Sequence, residues 1–188
     1  MKKVILSIAI AAIAVLGVNA QSKYVARTGQ ATIFSHTDAE DISATNNTVT
    51  GVINSSTGDV AISVPVQSFT FEKALMQEHF NNSNFMDSKQ FPRMTLKGII
   101  TNLSAIDFSK NGKYTATVSG DLTIKGTTKP VTEKATIEVN NGKITVTSKF
   151  VVKDIGSYGV GKPMGKKKNN VADDIEVTYT AAYDKGDE

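Results

Sequence analysis

The chain has no cysteine and no tryptophan, only two histidines (His36 and His79) and four prolines. Without cysteine there is no disulfide, no thiolate nucleophile and no soft metal ligand. Stability must therefore come from burial of a core. The two histidines do not sit at a metal-ligand spacing, so a transition-metal site is not expected. Charge of one sign is lacking as well. Setting aside Lys2 and Lys3 leaves 19 basic residues against 18 acidic ones. Near neutrality gives no sign of the dense basic face that nucleic-acid binding requires, and none is expected. Catalytic motifs are equally scarce. There is no Gly-x-Ser-x-Gly elbow. The stretch Gly159 to Lys167 fails as a phosphate loop, with Val160 where glycine is needed and Lys167 where serine or threonine is needed. Glu78 and His79 are adjacent and could form an acid–base pair. A histidine at a helix end is more often a hydrogen-bonded structural residue, and His79 is read as one.

One long apolar run is present, and it stands at the N-terminus. Met1-Lys2-Lys3 is a short basic start, Val4 to Val15 is apolar apart from Ser7, and Val18-Asn19-Ala20 places small residues where a signal peptidase reads. This is the layout of a secretory signal peptide over residues 1–20, cleaved after Ala20. The run to Val18 is short for a bilayer, which takes about 20 residues to cross. The expectation is an exported protein, periplasmic or secreted, whose mature part is one domain from Gln21 to Glu188.

The mature part is dominated by period-two alternation. From Lys113 to Lys125 the apolar or small residues Tyr114, Ala116, Val118, Gly120, Leu122 and Ile124 occupy every even position. Lysine, threonine, serine and aspartate fill the odd ones. That is a strand with one dry and one wet face. Lys143 to Lys153 and Ile175 to Tyr183 repeat the pattern, and weaker versions run through Val60–Val66, Met94–Ile100 and Val131–Val139. Val49–Ile53 and Tyr24–Phe34 complete the set. Turn residues at Ser56–Asp59, Lys110–Gly112 and Asn140–Gly142 separate the runs and imply antiparallel hairpins. A helix is expected over Phe71 to Asn81, with Leu75, Met76, His79 and Phe80 sharing a side, and a second helical turn near Ser83 to Ser88. Gly156 to Asn170 reads as a long solvated loop whose tip, Lys166–Lys168, could touch anionic head groups of a membrane surface.

One short helix cannot cover seven or eight half-dry strands, so the sheet must close into a barrel or stack as a sandwich. The strand lengths, up to thirteen residues, favour the barrel. Its inward rows include Gly51, Gly98, Ala116, Gly120, Ser148 and Ala181. Such small residues either taper a filled core or leave room for a ligand.

A more specific pattern runs between the strands. It comprises Ser68-Phe69-Thr70-Phe71, Met76 to Phe80, Asn84-Phe85-Met86-Asp87, Phe91-Pro92-Arg93-Met94, and Gly120-Asp121-Leu122-Thr123-Ile124-Lys125-Gly126-Thr127-Thr128-Lys129-Pro130-Val131. This closely resembles the YceI-like family over essentially all of Gln21 to Glu188. It departs in two places. Asp154-Ile155-Gly156 lacks the family's aspartate-aromatic-glycine turn, and Thr32 to His36 only approximates its His-Ser-x-Val opening. The resemblance implies an all-β, eight-stranded antiparallel, lipocalin-like barrel with a helical insertion near the mouth. It also implies a pore holding an isoprenoid chain, such as a quinone tail, or another long lipid of fatty-acid type, with no further cofactor. Candidate lining residues are Phe34, Phe69, Phe71, Leu75, Met76, Phe80, Phe85, Met86, Phe91, Met94, Ala116, Gly120 and Leu122, since methionine and phenylalanine suit an adaptable apolar tunnel. The leading reading is a carrier or store for the lipid. The alternatives are a ligand-free structural or stress-related module, and an enzyme acting on the lipid through Glu78 and His79. A homodimer is compatible with either binding role.

Overall fold

The computed structural model describes residues 23–161 and 170–186. The signal-peptide reading over 1–20 and the Lys166–Lys168 tip lie outside the described residues. Nine strands form one antiparallel sheet: β1 (Lys23–His36), β2 (Asp41–Asn54), β3 (Asp59–Pro65), β4 (Thr70–Phe71), β5 (Arg93–Ile100), β6 (Gly112–Ile124), β7 (Thr127–Asn140), β8 (Lys143–Val152) and β9 (Ile175–Lys185). Pairing runs β1-β9-β8-β7-β6-β5-β3-β2, and β2 pairs again with β1. The sheet thus closes into an eight-stranded barrel, with β4 added against Ala44 and Thr45 of β2.

Tight hairpins set the register. At Lys125-Gly126 and Asn141-Gly142 all four residues have positive φ, from 47° to 80°. Two-residue turns of that hand match the strand twist, and here they fix β6 against β7 and β7 against β8. All the even residues of β6 share one face, as alternation requires.

The two ends of the barrel differ. At one end lie the β2–β3 turn, the Thr101–Asn111 loop and the β7–β8 turn. This end is plugged by Ile106, Val139, Ile144 and Tyr183, all buried, and by Tyr24 stacked on Phe108 with ring centroids 5.6 Å apart. At the other end lie the β1–β2 turn, the connection from β3 to β5 and the long β8–β9 loop. The α-helix of the described residues, α1 (Ala74–Asn81), sits in the β3–β5 connection.

Three local expectations are corrected. The helix starts at Ala74 and not at Phe71, because Phe71 is drawn into β4, where its N–H donates to Gln77 Oε1 at 3.1 Å. Ser83 to Ser88 is a run of turns and not a helix. Asp87 has a φ of 47°, and Met86 N–H reaches back to the Phe80 carbonyl at 3.0 Å. The described start of the β8–β9 loop is not solvated throughout. Tyr158 and Val160 are buried in a small cluster with Val66, Met86, Ile124 and Val152. Of the two readings left open for the small inward residues, half of them follow the first and leave no empty space. A Cβ on Gly51 would stand 3.0 Å from Tyr183 Cζ, and Gly98 and Gly120 face each other so closely that a Cβ on Gly98 would stand 2.9 Å from the Gly120 Cα.

Candidate functional site

A cavity of about 850 Å³ occupies the open half of the barrel and reaches down to Tyr179 and Tyr183. That volume is within the range of about 300–1,000 Å³ found for small-molecule sites. Strand β7 shows how it arises. Its inward row is Val131, Glu133, Ala135, Ile137 and Val139. The last two are buried and the first three only half-buried. The same change occurs around the barrel: inward Ile62, Val64, Met94, Leu96, Val118, Leu122, Phe150 and Val177 are all half-buried while lining the cavity. Their remaining exposed surface faces the lumen. At the closed end the equivalent positions are filled by neighbours.

Two features widen the open half. The β7–β8 ladder runs only from Asn140↔Lys143 to Thr136↔Thr147, although both strands continue. The last link is Ser148 Oγ donating to the Lys134 carbonyl at 2.7 Å. Beyond it the strands part toward the mouth. Pro130, which has no N–H for a ladder, sits on that unpaired stretch of β7, where proline is tolerated. Second, β3 pairs with β2 only over Thr50 to Ile53, and β4 covers β2 only at Ala44 and Thr45. Asn46, fully buried in β2, holds this junction: its Nδ2 donates to the Pro65 carbonyl at 2.7 Å, and its Oδ1 accepts from Thr48 N–H at 2.8 Å.

Over the mouth, α1 is fastened by few contacts. Gln77 clamps it to β4 and the residue before it, donating from Nε2 to the Phe69 carbonyl at 2.6 Å and accepting from Phe71 N–H. Phe80 packs between Phe69 and Phe71, at 5.5 and 5.0 Å between centroids. Lys73 Nζ meets Glu40 Oε1 at 3.1 Å across the rim. No residue of α1 is buried, and Leu75 is 62% exposed. The rim is therefore tethered, not welded.

Phe69, Phe71, Leu75, Met76, Phe80, Phe85, Met86, Met94, Ala116 and Leu122 all line the cavity, brought together from β4, α1, the following turns, β5 and β6. Ala116 is fully covered by its neighbours. Phe34 also stands among the lining residues, yet its ring stacks on exposed His36 at 6.5 Å, outside the inward row of Ala31, Ile33 and Ser35. Two expectations fail. Phe91 is absent from the wall; its ring lies under the β6–β7 turn, where a Cβ on Gly126 would come within 2.6 Å of it. Gly120 does not face open space, because the β5 backbone fills the position its side chain would take. The structure also places His79. It is exposed at the cavity rim, and among the described residues its ring has no hydrogen-bond partner.

Three polar residues of the inward rows were missed. Glu133 stands between Val131 and Ala135, so alternation alone places its carboxyl on the lumen side. Burial holds that carboxyl above the usual range. Tyr179 and Tyr183 lie on the inward face of β9, as the alternation from Ile175 to Tyr183 requires, but alternation does not show that they meet. Their hydroxyls are 2.8 Å apart inside the barrel. Burial pushes both phenols up, Tyr183 the more strongly. At the mouth, exposed His36 is held above its ordinary value by its hydrogen bond to Asp41. Among the described residues no cluster of three or more histidines and carboxylates could hold a metal ion.

Comparisons with known proteins agree with this architecture. A polyisoprenoid-binding domain from Saccharophagus degradans superposes with a TM-score of 0.73 at 10% identity, covering 88% of this chain and 99% of that one. BcnA from Burkholderia cenocepacia gives 0.67 at 19% identity, over 82% and 95% of the two chains. The YCEI protein of Campylobacter jejuni gives 0.58 at 17%, over 81% and 90%. At these identities the likeness is one of fold. In sequence, a UPF0312 protein of Pseudomonas fluorescens is 34% identical over 77 residues, which is 41% of this chain and 38% of that relative's length. The model of the YceI-like domain matches residues 22–183. With that match across nearly the whole barrel, the chain belongs to the YceI-like domain family.

Proposed function

We propose that this protein is exported and holds one long apolar lipid, an isoprenoid or acyl chain, inside the open half of its barrel as carrier or store. The observation that carries the reading is the apolar lumen itself: inward side chains that stay half-exposed inside a closed barrel. Apolar surface facing water in a concave site is costly, and covering it with a chain contributes about 0.8 kcal/mol per buried methylene. Ten methylenes would then give roughly 8 kcal/mol before the cost of association. Such binding needs shape and apolarity and no reacting group, so no catalytic step is proposed. The polyisoprenoid-binding domain with the same fold supports an isoprenoid as the first ligand to test.

The test is direct. Protein purified without detergent is extracted into organic solvent and the extract is analysed by mass spectrometry, alongside titration with an environment-sensitive apolar dye. The expected result is a long-chain lipid near one per protein, or stoichiometric dye uptake where the barrel is empty. A blank extract with no dye uptake at micromolar concentration would contradict the reading.

A further inference from the structure

We infer that the lipid enters head first: the floor of the cavity recognises a hydrogen-bond acceptor on its polar end through the paired hydroxyls of Tyr179 and Tyr183. This rests on the lipid-binding reading and adds to it the orientation of the ligand and the chemistry of its head.

Both tyrosines line the cavity, yet they are only 6% and 1% exposed. Their rings extend from β9 across β1 to β2, over inward positions that carry almost no side chain. A Cβ on Gly29 would stand 3.4 Å from the Tyr179 ring, and one on Gly51 would strike the Tyr183 hydroxyl. The floor is thus shaped to accept two rings and bring their oxygens together, 2.8 Å apart.

The hydrogen count then leaves a remainder. Two phenol hydroxyls carry two donor hydrogens. One lies between the two oxygens. Among the described residues no acceptor takes the other, and Tyr24, the neighbouring phenol, is turned to the Phe108 carbonyl. A buried donor without a partner is costly, and the cost is removed by any acceptor placed there. Ile53, Val60, Ile137 and Val146 line the cavity with the pair, and the hydroxyl of Ser148, which pairs with Tyr179 across the β8–β9 ladder, is directed to the Lys134 carbonyl, so an acceptor carried by the ligand would take the remaining donor. A carbonyl, hydroxyl or carboxyl oxygen at the end of the chain meets that need. The first tyrosine also polarises the second, which strengthens the outward donor. Glu133 is nearer the mouth and is an acceptor when ionised, so it cannot offer the same recognition.

The test compares two ligands of equal chain length, a long-chain methyl ketone and the corresponding alkane, by competition against a bound apolar dye. Wild type, Tyr179→Phe, Tyr183→Phe, the double variant and Glu133→Gln are all measured. The ketone is expected to bind the wild type about fivefold to tenfold more tightly than the alkane. That ratio should fall to about one in the double variant and stay unchanged in Glu133→Gln. The tyrosine Raman doublet should also shift when the ketone binds and not when the alkane binds, which keeps the test valid should the double variant not fold. A ratio of one in the wild type, or a preference removed by Glu133→Gln and kept by the tyrosine variants, would overturn the orientation while leaving lipid binding intact. Failure of both ligands to displace the dye would overturn the lipid reading with it.

Discussion

The two halves of strand β7 carry the same alternation and end in different surroundings. From Ala135 to Asn140 it pairs with both neighbours or lies beside complete ladders, and its inward Ile137 and Val139 are buried. From Thr127 to Lys134 it pairs only with β6, and its inward Val131 and Glu133 look into open space. The difference teaches that facing and filling are separate properties. Facing follows from the period of the strand. Filling depends on what reaches across the barrel, and that is decided by residues far away in sequence: Tyr24, Phe108 and Ile106 plug one end, while α1 only spans the other. The closed half should thus respond to mutation through stability and the open half through binding.

The largest expected effect is at the plug. Ile144→Ala removes a side chain that is 1% exposed and outside the cavity wall, and should cost about 2–5 kcal/mol in chemical denaturation. Lipid content per folded molecule should hold. Gly120→Leu comes next. The β5 backbone fills the place of the new side chain, so the change should destabilise by about 1–3 kcal/mol or more without first removing ligand. Gln77→Ala sharpens the comparison from the open side. Losing the clamp between α1 and β4 should lower stability by about 1 kcal/mol, while ligand release measured by stopped flow becomes faster. The smallest effect belongs to Glu133. Its carboxyl titrates above the ordinary range because burial disfavours the charge. Its contribution is therefore present in full below the usual carboxylate value near 4.3 and fades as pH rises through the raised folded value. A slight fall in melting temperature from acidic toward neutral pH, absent in Glu133→Gln, would show this.

Much of the fold could be read from the sequence, for reasons visible in particular residues. The even row of β6 and the glycine-bearing turns at Gly126 and Gly142 fix strands, hairpins and facing. The family pattern from Ser68 to Val131 adds closure and the helix near the mouth. The cavity was less legible. Gly51, Gly98 and Gly120 look like empty room in a row of letters, yet they make way for a tyrosine ring and for a close approach of two backbones. Leu122 and Val118 have ordinary side chains and still face open space, because β8 parts from β7 toward the mouth. Glu133 was visible by parity and overlooked because it interrupted an apolar series. Phe91 carried the right chemistry but is turned beneath a hairpin that only the folded chain brings there.

The central claim is that the open half of the barrel is a ligand cavity and not a loosely filled core. Val118→Phe tests it most directly, since Val118 lines the lumen, is only half-buried and pairs across the ladder with Glu133. Melting temperature and co-purified lipid are to be measured on the same preparation. A hollow barrel predicts a melting temperature close to wild type with lipid content falling toward zero. A fall in melting temperature from overpacking, about 1–3 kcal/mol in stability, with lipid content unchanged, would contradict the account.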